Sequence, residues 1–584
     1  MQNLRQFCVE ESKPWFRPES GWPAHVPKNL EFPRITLYEL LAERAAETPE
    51  APVLWFLGTF MSYRKLMGHV DAFAAGLKKL GVKKGDTVAL AMPSCFQYPI
   101  AFYACAKLGA VVTGVNPISK PTEILHQLDS TGSRTLIVLD AICEPLFGPL
   151  RTSHPFDEII ATNLVDLVDM PPENKAMGKQ GGMIPSGPVP DTAIQFMDLL
   201  ATEPSPISDQ VSTDDVATYV LTGGTTGVPK VAVLTHFNCV SSAVSVARWL
   251  WDSPGCCLIG ILPLFHVFGM ACLHTAIQNH GYAILFPKPP ETEDLLKTVC
   301  AVGMDGKTFY PGAEVLFQQL AAFPNLDKYP VAKKINRCLS SAGPLHSYVK
   351  DRFEASLPGV VLREGYGLSE SSSGIAIGPY DKEFISGSIG LPLPGVEWKI
   401  VDMEDGEKEL PPGESGELIL SAPMVMKEYL NNREETAEAL REQDGKIWLY
   451  TGDIGYIDEL GRVFLNDRKK QLIKVKGYSV FPTEVEELIA RHEAVFESSV
   501  AGLPDPETGE AIKAWVVLKE EWKGQVTPEE LRAWAKENMT HYKVPKYVEF
   551  IDTIPKTLVG KVLRRELKEA DPIYKAFLKS QSES

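Results

Sequence analysis

Apolar positions along the chain fall into two alternating rhythms. Leu37, Leu40, Leu41 and Ala45 recur at helical spacing after Thr36, and Leu66, Val70, Phe73, Leu77 and Leu80 form one stripe between Tyr63 and Leu80. Between these stripes Val53-Leu-Trp-Phe56 is a short continuous apolar run, the mark of a strand. The same alternation predicts a buried strand at Thr87-Val-Ala-Leu-Ala91, a helix over Tyr98 to Leu108, and strands at 109–113 and 135–139. It resumes with a strand over Cys257 to Leu262, a helix near Ala271, a strand at 283–286 and a helix from Glu293, with further units to Leu362. Strands separated by helices predict parallel sheets with crossover helices.

Two stretches break the rhythm. Residues 1–34, rich in Pro, Trp and Glu, read as an irregular arm over the surface, and 171–191, dense in Gly, Pro and polar residues, reads as a peripheral loop. From Gly387 to Leu465 strands shorten and turns such as Glu404-Asp-Gly406 recur, which predicts a small antiparallel lobe. After the charged run Asp467-Arg-Lys-Lys470 come a strand, a helix over 483–492, strands near Ser499 and over 514–518, a helix over 528–538 and a strand over 547–551. That is an α+β domain of about a hundred residues, an ordinary size for a small domain. The expected fold class is α/β: a large N-terminal domain of layered α/β sheets with a small antiparallel β lobe, followed by a mobile α+β C-terminal domain. The expected division is 1–466 and 467–584, with a hinge at Asp467/Arg468.

Composition narrows the function. With 584 residues, 44% hydrophobic and 23% charged, the chain is long enough for more than one domain and has an ordinary globular balance. A formal net charge of −17 disfavours nucleic acid as a partner, although a small nucleotide needs only local positive potential. The ten cysteines include no C-x-x-C pair, so reduced thiols are expected, and with them a cytoplasmic location. The start Met1-Gln-Asn-Leu-Arg-Gln lacks the apolar core of a signal peptide. No run approaches the roughly 18 apolar residues of a membrane span, so membrane contact is expected to be peripheral at most.

The stretch richest in chemistry is Leu221-Thr-Gly-Gly-Thr-Thr-Gly-Val-Pro-Lys230. Its glycines let backbone N–H groups approach an anion, its hydroxyls add donors, and Lys230 adds full charge, a set suited to polyphosphate. It is not a Walker A loop: Val228 and Pro229 separate Gly227 from Lys230, and an apolar strand-like run follows instead of a helix. A loop folded between two strands is expected.

Five separated motifs extend that reading: LTGGTTGVPK (221–230), EGYGLSE (364–370), YTGDIGYID (450–458), DRKKQLIKVKGYSVFPTEVE (467–486) and PKTLVGKVLRREL (555–567). In this order they closely resemble the adenylate-forming superfamily of acyl-CoA synthetases, firefly luciferase and nonribosomal-peptide adenylation domains, over nearly the whole chain from Thr36. The resemblance implies that a carboxylate attacks the α-phosphorus of ATP, giving an acyl-adenylate and pyrophosphate, and that a thiol, usually coenzyme A, then takes the acyl group. It implies that Thr222, Gly223, Gly224, Thr225, Thr226, Gly227 and Lys230 hold the β- and γ-phosphates and that Glu370 ligates Mg²⁺. Tyr366, within Glu364-Gly365-Tyr366-Gly367, would stack on adenine, bordered by Ser341, Ala342, Gly343 and Pro344. Asp453 and Arg468 would contact the ribose. Lys561 would bridge the substrate carboxylate and the α-phosphate. Lys474 and Gly477 would belong to a second face of the small domain, presented for the coenzyme A step after a domain rotation.

The acid is less legible. Pro263-Leu-Phe-His-Val-Phe-Gly269 matches the family segment beside the acyl site, where His266 would gate or orient the carboxylate. The residues after it, Met270 to Ile277, include no acid, and a buried substrate ammonium without a counter-charge is costly, so amino acids are disfavoured. The TGGTTG form resembles that of fatty acyl-CoA ligases, which favours medium- or long-chain fatty acids. The rival readings are an aryl- or coumarate-type acid–CoA ligase, a luciferase-like monooxygenase, and a nucleotide- or lipid-binding module without activity. Expected partners are a carboxylic acid, ATP and coenzyme A; a homodimer is the oligomer left open.

Overall fold

A computed structural model describes residues 7–205, 210–222, 229–476, 478–556 and 562–582. By compactness it forms two units, one drawn from Met1–Thr222, Pro229–Glu397 and Ser421–Leu449, the other from Trp398–Leu420 and Tyr450–Ser584.

The first unit carries two large sheets. One runs Leu391–Pro392, Ser373–Ile377, Val361–Leu368, Ile335–Ser340, Thr308–Gly312, Cys257–Gly260, Tyr282–Leu285, Pro52–Phe56, Thr59–Ser62. Its middle pairings are parallel. The other runs Glu428–Tyr429, Val231–Thr235, Val216–Leu221, Val111–Gly114, Thr87–Ala91, Thr135–Leu139, Glu158–Thr162, Ile194–Gln195 and is parallel from Val216–Leu221 onward. The strands Thr87–Ala91 and Thr135–Leu139 are buried along their whole length, as continuous apolar runs predict for parallel sheets covered on both faces. The helices follow the apolar stripes. Leu37–Glu47 buries Leu37, Leu40, Leu41 and Ala45, and Thr36 and Glu39 close a capping box at its start. Tyr63–Lys79 buries Leu66, Val70, Phe73 and Leu77.

Two expectations need correction. The 171–191 stretch contains the helix Pro172–Gln180. Proline in the first turn costs no hydrogen bond, and the helix has no apolar stripe to betray it. Its one buried residue is Gly178, where a Cβ would lie 2.5 Å from Ile184 Cδ1. The N-terminal arm is irregular but not merely superficial. Trp15 and Phe16 are buried, Phe16 meets Trp22 edge-on at 4.6 Å, and Trp22 meets Trp249 at 5.3 Å.

In the second unit Asp453–Ile457, the end of the strand Lys446–Ile457, pairs antiparallel with Val463–Arg468. Further along, the hairpin Val495–Asp505/Gly509–Leu518 forms a sheet with Ile473–Val475, Tyr478–Val480 and Tyr547–Phe550. Helices Pro482–Ile489 and Pro528–Asn538 close its core through Val485, Ile489, Leu531 and Ala535. The architecture is the expected one: layered α/β sheets, a small β lobe and an α+β C-terminal part. No helix among the described residues is long and apolar enough to cross a membrane, and all ten cysteines are free thiols.

Candidate functional site

Strands Val216–Leu221 and Val231–Thr235 are antiparallel, with Leu221 opposite Val231, and the Thr222 N–H donates to the Lys230 carbonyl at 2.8 Å. The strand-to-strand setting that excluded a Walker loop is therefore present. Gly223, Gly224, Thr225, Thr226 and Gly227 lie outside the described residues. The two-residue strand Glu428–Tyr429 pairs with Val231–Thr235, placing Tyr429 opposite Ala232 and close to Lys230. The Lys230 ammonium lies 4.7 Å from the centre of the Tyr429 ring and pairs with Glu435. Glu435 sits in the first turn of the helix Arg433–Ala439, where its N–H donates to the Asn432 cap. The Tyr429 hydroxyl donates to Glu370 Oε1 at 2.7 Å. Lys230 and Glu370, 140 positions apart, are thus joined through one tyrosine. Sequence reasoning found both and missed Tyr429 and Glu435, which belong to no motif and are brought in by strand pairing alone.

The Glu364–Glu370 motif begins where a parallel pairing ends. The strand Val361–Leu368 runs parallel to Ile335–Ser340 up to the pair Ser340/Glu364, then antiparallel to Ser373–Ile377. Such strand ends open crevices suited to ligands. A Cβ on Gly367 would lie 1.9 Å from the Ser373 carbonyl oxygen, so only glycine fits beside Tyr366. On the neighbouring strand's exit, Ser341 leads into Ala342, Gly343 and Pro344, all three exposed, with Ala342 in the left-handed region at φ 72°. The Leu345 N–H donates to the Glu364 carboxylate, tying this loop to Glu364 and Gly365. Burial outweighs that donor and, with repulsion from Glu314, pushes the Glu364 carboxyl up to about 8.

In the second unit Asp453 and Arg468 face each other across antiparallel strands, Arg468 Nε lying 2.9 Å from Asp453 Oδ1. Asp467 accepts from the Thr483 N–H at 2.9 Å, at the start of the helix Pro482–Ile489. Lys474 is exposed on Ile473–Val475, its N–H donating to Glu510 Oε2 at 2.8 Å. Gly477 and Lys561 lie outside the described residues. Three positions after Lys561, the Arg564 guanidinium bonds both Glu486 oxygens, at 3.1 and 2.5 Å, and Gln471 at 2.9 Å. A two-pronged arginine–carboxylate contact fixes direction as well as distance.

The first unit also holds a narrow cleft, lined by Tyr98, Phe102, Leu264, Val267, Met270 and Ala271, with His266 and His274 among the remaining wall residues. None of its lining residues is Asp, Glu, Lys or Arg. His266 caps the helix Val267–Gln278, its Nδ1 accepting from the Phe268 N–H at 3.2 Å. Since that nitrogen accepts, the ring proton is on Nε2, making the imidazole a donor there.

For magnesium, no group of three or more His, Cys, Asp or Glu side chains among the described residues is arranged to hold a metal ion. A single carboxylate still fits Mg²⁺, which keeps waters and takes phosphate oxygens for most of its shell. Glu370 offers such an oxygen.

Comparison with known proteins agrees with this geometry. The model of the AMP-binding enzyme family matches residues 41–430, and that of the AMP-binding enzyme C-terminal domain matches 484–561. A long-chain-fatty-acid–CoA ligase of Bacillus subtilis is 36% identical over 574 residues, covering 96% of this chain and 99% of the relative. 4-Coumarate–CoA ligase 2 of Oryza sativa is 31% identical, covering 94% and 93%. The crystal structure of ATP-bound MatB from Rhodopseudomonas palustris superposes with a TM-score of 0.76 at 25% identity, covering 93% of this chain and 100% of that one. The chain belongs to the AMP-binding enzyme family and is, as a member of it, an AMP-forming acid–thiol ligase.

Proposed function

We propose that the chain activates medium- or long-chain fatty acids, forming acyl-AMP and pyrophosphate from ATP and then passing the acyl group to coenzyme A. The observation that carries this choice is the cleft beside His266, whose walls hold no charged side chain. A hydrocarbon chain gains about 0.8 kcal/mol for each methylene buried there, whereas an amino acid's ammonium would find no counter-charge. His266 would gate or orient the acid's carboxylate.

The remaining roles follow the chemistry. Two anions must approach in the first step, and positive charge with oriented N–H groups lowers that barrier. Thr222 to Gly227 with Lys230 hold the terminal phosphates, and Glu370 would hold Mg²⁺, which when bound neutralises phosphate charge. Tyr366, Gly365, Gly367 and Glu364, with Ser341 to Pro344, take the adenine, while Asp453 and Arg468 take the ribose. Lys561 steadies the carboxylate and α-phosphate during adenylation. The C-terminal domain, 467–584, turns about Asp467/Arg468 so that Lys474 and Gly477 serve the coenzyme A step. Contact with membranes is at most peripheral, and the location cytoplasmic.

The test is acid-dependent pyrophosphate release across saturated acids of increasing length, with and without coenzyme A, beside coumarate and benzoate. The expected outcome is stimulation that rises with chain length, and acyl-CoA only when coenzyme A is present. Stimulation by aryl acids alone would transfer the assignment to the coumarate-type reading, and no stimulation by any acid would overturn it.

A further inference from the structure

The cleft has a second histidine that the reaction does not use. His274 is 3% exposed and lines the cleft wall. Its Nδ1 lies 2.8 Å from the Tyr103 hydroxyl, and its ring packs against Phe102 at 5.4 Å. Burial, aided by His236, pushes the imidazole down to about 3, so it is neutral at ordinary pH and carries one ring proton.

The location of that proton follows from Tyr103. This hydroxyl is fully buried, and His274 is its one hydrogen-bond partner among the described residues. If His274 donated from Nδ1, the tyrosine proton would be left without an acceptor in an apolar interior, a costly arrangement. The Tyr103 O–H therefore donates to Nδ1, and the proton of His274 is on Nε2. Nε2 makes no hydrogen bond among the described residues. The cleft wall thus carries two imidazoles, the second of which, His274, has its proton on Nε2. His266 stands at the start of the helix Val267–Gln278 and His274 eight residues on, about 12 Å along its axis at 1.5 Å per residue.

A plain alkyl chain has no acceptor for the His274 N–H. Filling the cleft past His274, it must either strand that N–H or leave a water under it. We propose that this cleft selects acids whose chain carries an acceptor oxygen, a hydroxyl or oxo group, several methylenes from the carboxylate, with His274 Nε2–H as the specificity-determining donor and Tyr103 as the residue that positions it. This rests on the cleft being the acyl site of the ligase reading above.

The experiment compares kcat/KM for pyrophosphate release with one saturated acid and its series of monohydroxylated positional isomers. In the wild-type enzyme one mid-chain or distal isomer is expected to exceed the parent acid about tenfold, the scale of one buried hydrogen bond. His274→Leu should bring that ratio to one or below, and His274→Gln, which keeps an N–H donor, should restore part of it. Tyr103→Phe removes the group that fixes the tautomer and should lower the ratio severalfold, giving a second reading if the leucine variant does not fold. A ratio unchanged in the variants, or a wild-type enzyme that turns over the parent acid and no isomer faster, overturns the inference while leaving the fatty-acid reading in place. Failure with every acid overturns both.

Discussion

The charged cluster around Lys230 and the cleft behind His266 both lie in the first unit, yet they are built on opposite principles. In the cluster each ionisable group already has a protein partner: Lys230 has Glu435 and the face of Tyr429, and Glu370 has the Tyr429 hydroxyl. In the cleft the walls are largely apolar and carry no charge. A phosphate arriving at the cluster exchanges one set of charged contacts for another, and the net gain is a small difference between large terms. A hydrocarbon entering the cleft gains with every methylene it buries. On the proposed reading the cleft is where affinity for the acid arises, and the charged groups are where binding is converted into chemistry, because they act most strongly on charge that develops in the transition state.

The change that should break this division hardest is Lys561→Ala. It is expected to lower acyl-AMP formation by about 10³-fold, the scale of losing a fixed donor to developing charge, and to spare thioester formation from supplied acyl-AMP. Asp467→Pro should do the reverse, keeping adenylation and losing the coenzyme A step, because proline restricts the backbone of the proposed hinge. Rates of the two half-reactions, measured separately, decide both; equal loss in both halves would remove the assignment. Next in size is Glu370→Gln, expected to lower kcat/KM about 10²-fold and to raise the Mg²⁺ needed for half-maximal rate. Tyr429→Phe keeps the ring under Lys230 and loses only the hydrogen bond, so about a tenfold loss is expected from a bond to a charged acceptor. If both variants leave the Mg²⁺ titration unmoved, Glu370 is not the metal's carboxylate.

The legibility of the chain followed the same division. Helices and buried strands could be read because an apolar stripe or run is a local pattern, and Leu37–Glu47 and Tyr63–Lys79 bury the residues that their stripes name. The helix Pro172–Gln180 could not, since it buries only Gly178. Lys230, Glu370, Asp453 and Arg468 were singled out through motifs, each a stretch of chain with its own chemistry. Tyr429, Glu435 and His274 were not, because their contacts arise from strand pairing and packing between distant segments, which leave no spacing to read. Glu364 shows the limit within a motif: its letter suggests a charge, and the fold removes it.

That neutral carboxyl gives a pH test. With a folded-state value raised to about 8 from its ordinary value of 4.5, Glu364 holds a proton in the folded chain that it loses on unfolding across this window. Its contribution to stability is complete below about 4.5 and is lost as pH rises through about 8, at up to about 1.4 kcal/mol per pH unit. Glu364→Gln removes the titration, so its melting temperature is expected to exceed the wild-type value at pH 9 and to converge with it toward pH 5. Parallel melting curves across that range would show that the carboxyl is ionised in the folded protein.

The smallest expected effect is the one that tests the comparison at its root. If the Lys230–Glu435 pair competes with phosphate, Glu435→Gln should tighten ATP, lowering its KM about threefold, the order expected for a partly exposed ion pair worth under 1 kcal/mol. If Glu435 instead aims Lys230 at the phosphates, the same substitution should raise that KM. The two outcomes differ in sign, so a modest change suffices. Salt separates them further: added salt screens a competing pair and should narrow the gap between variant and wild type, whereas a positioning role set by geometry should leave it. A lowered KM that converges at high salt would establish that the charged cluster binds ATP by exchanging partners, as the contrast with the apolar cleft requires.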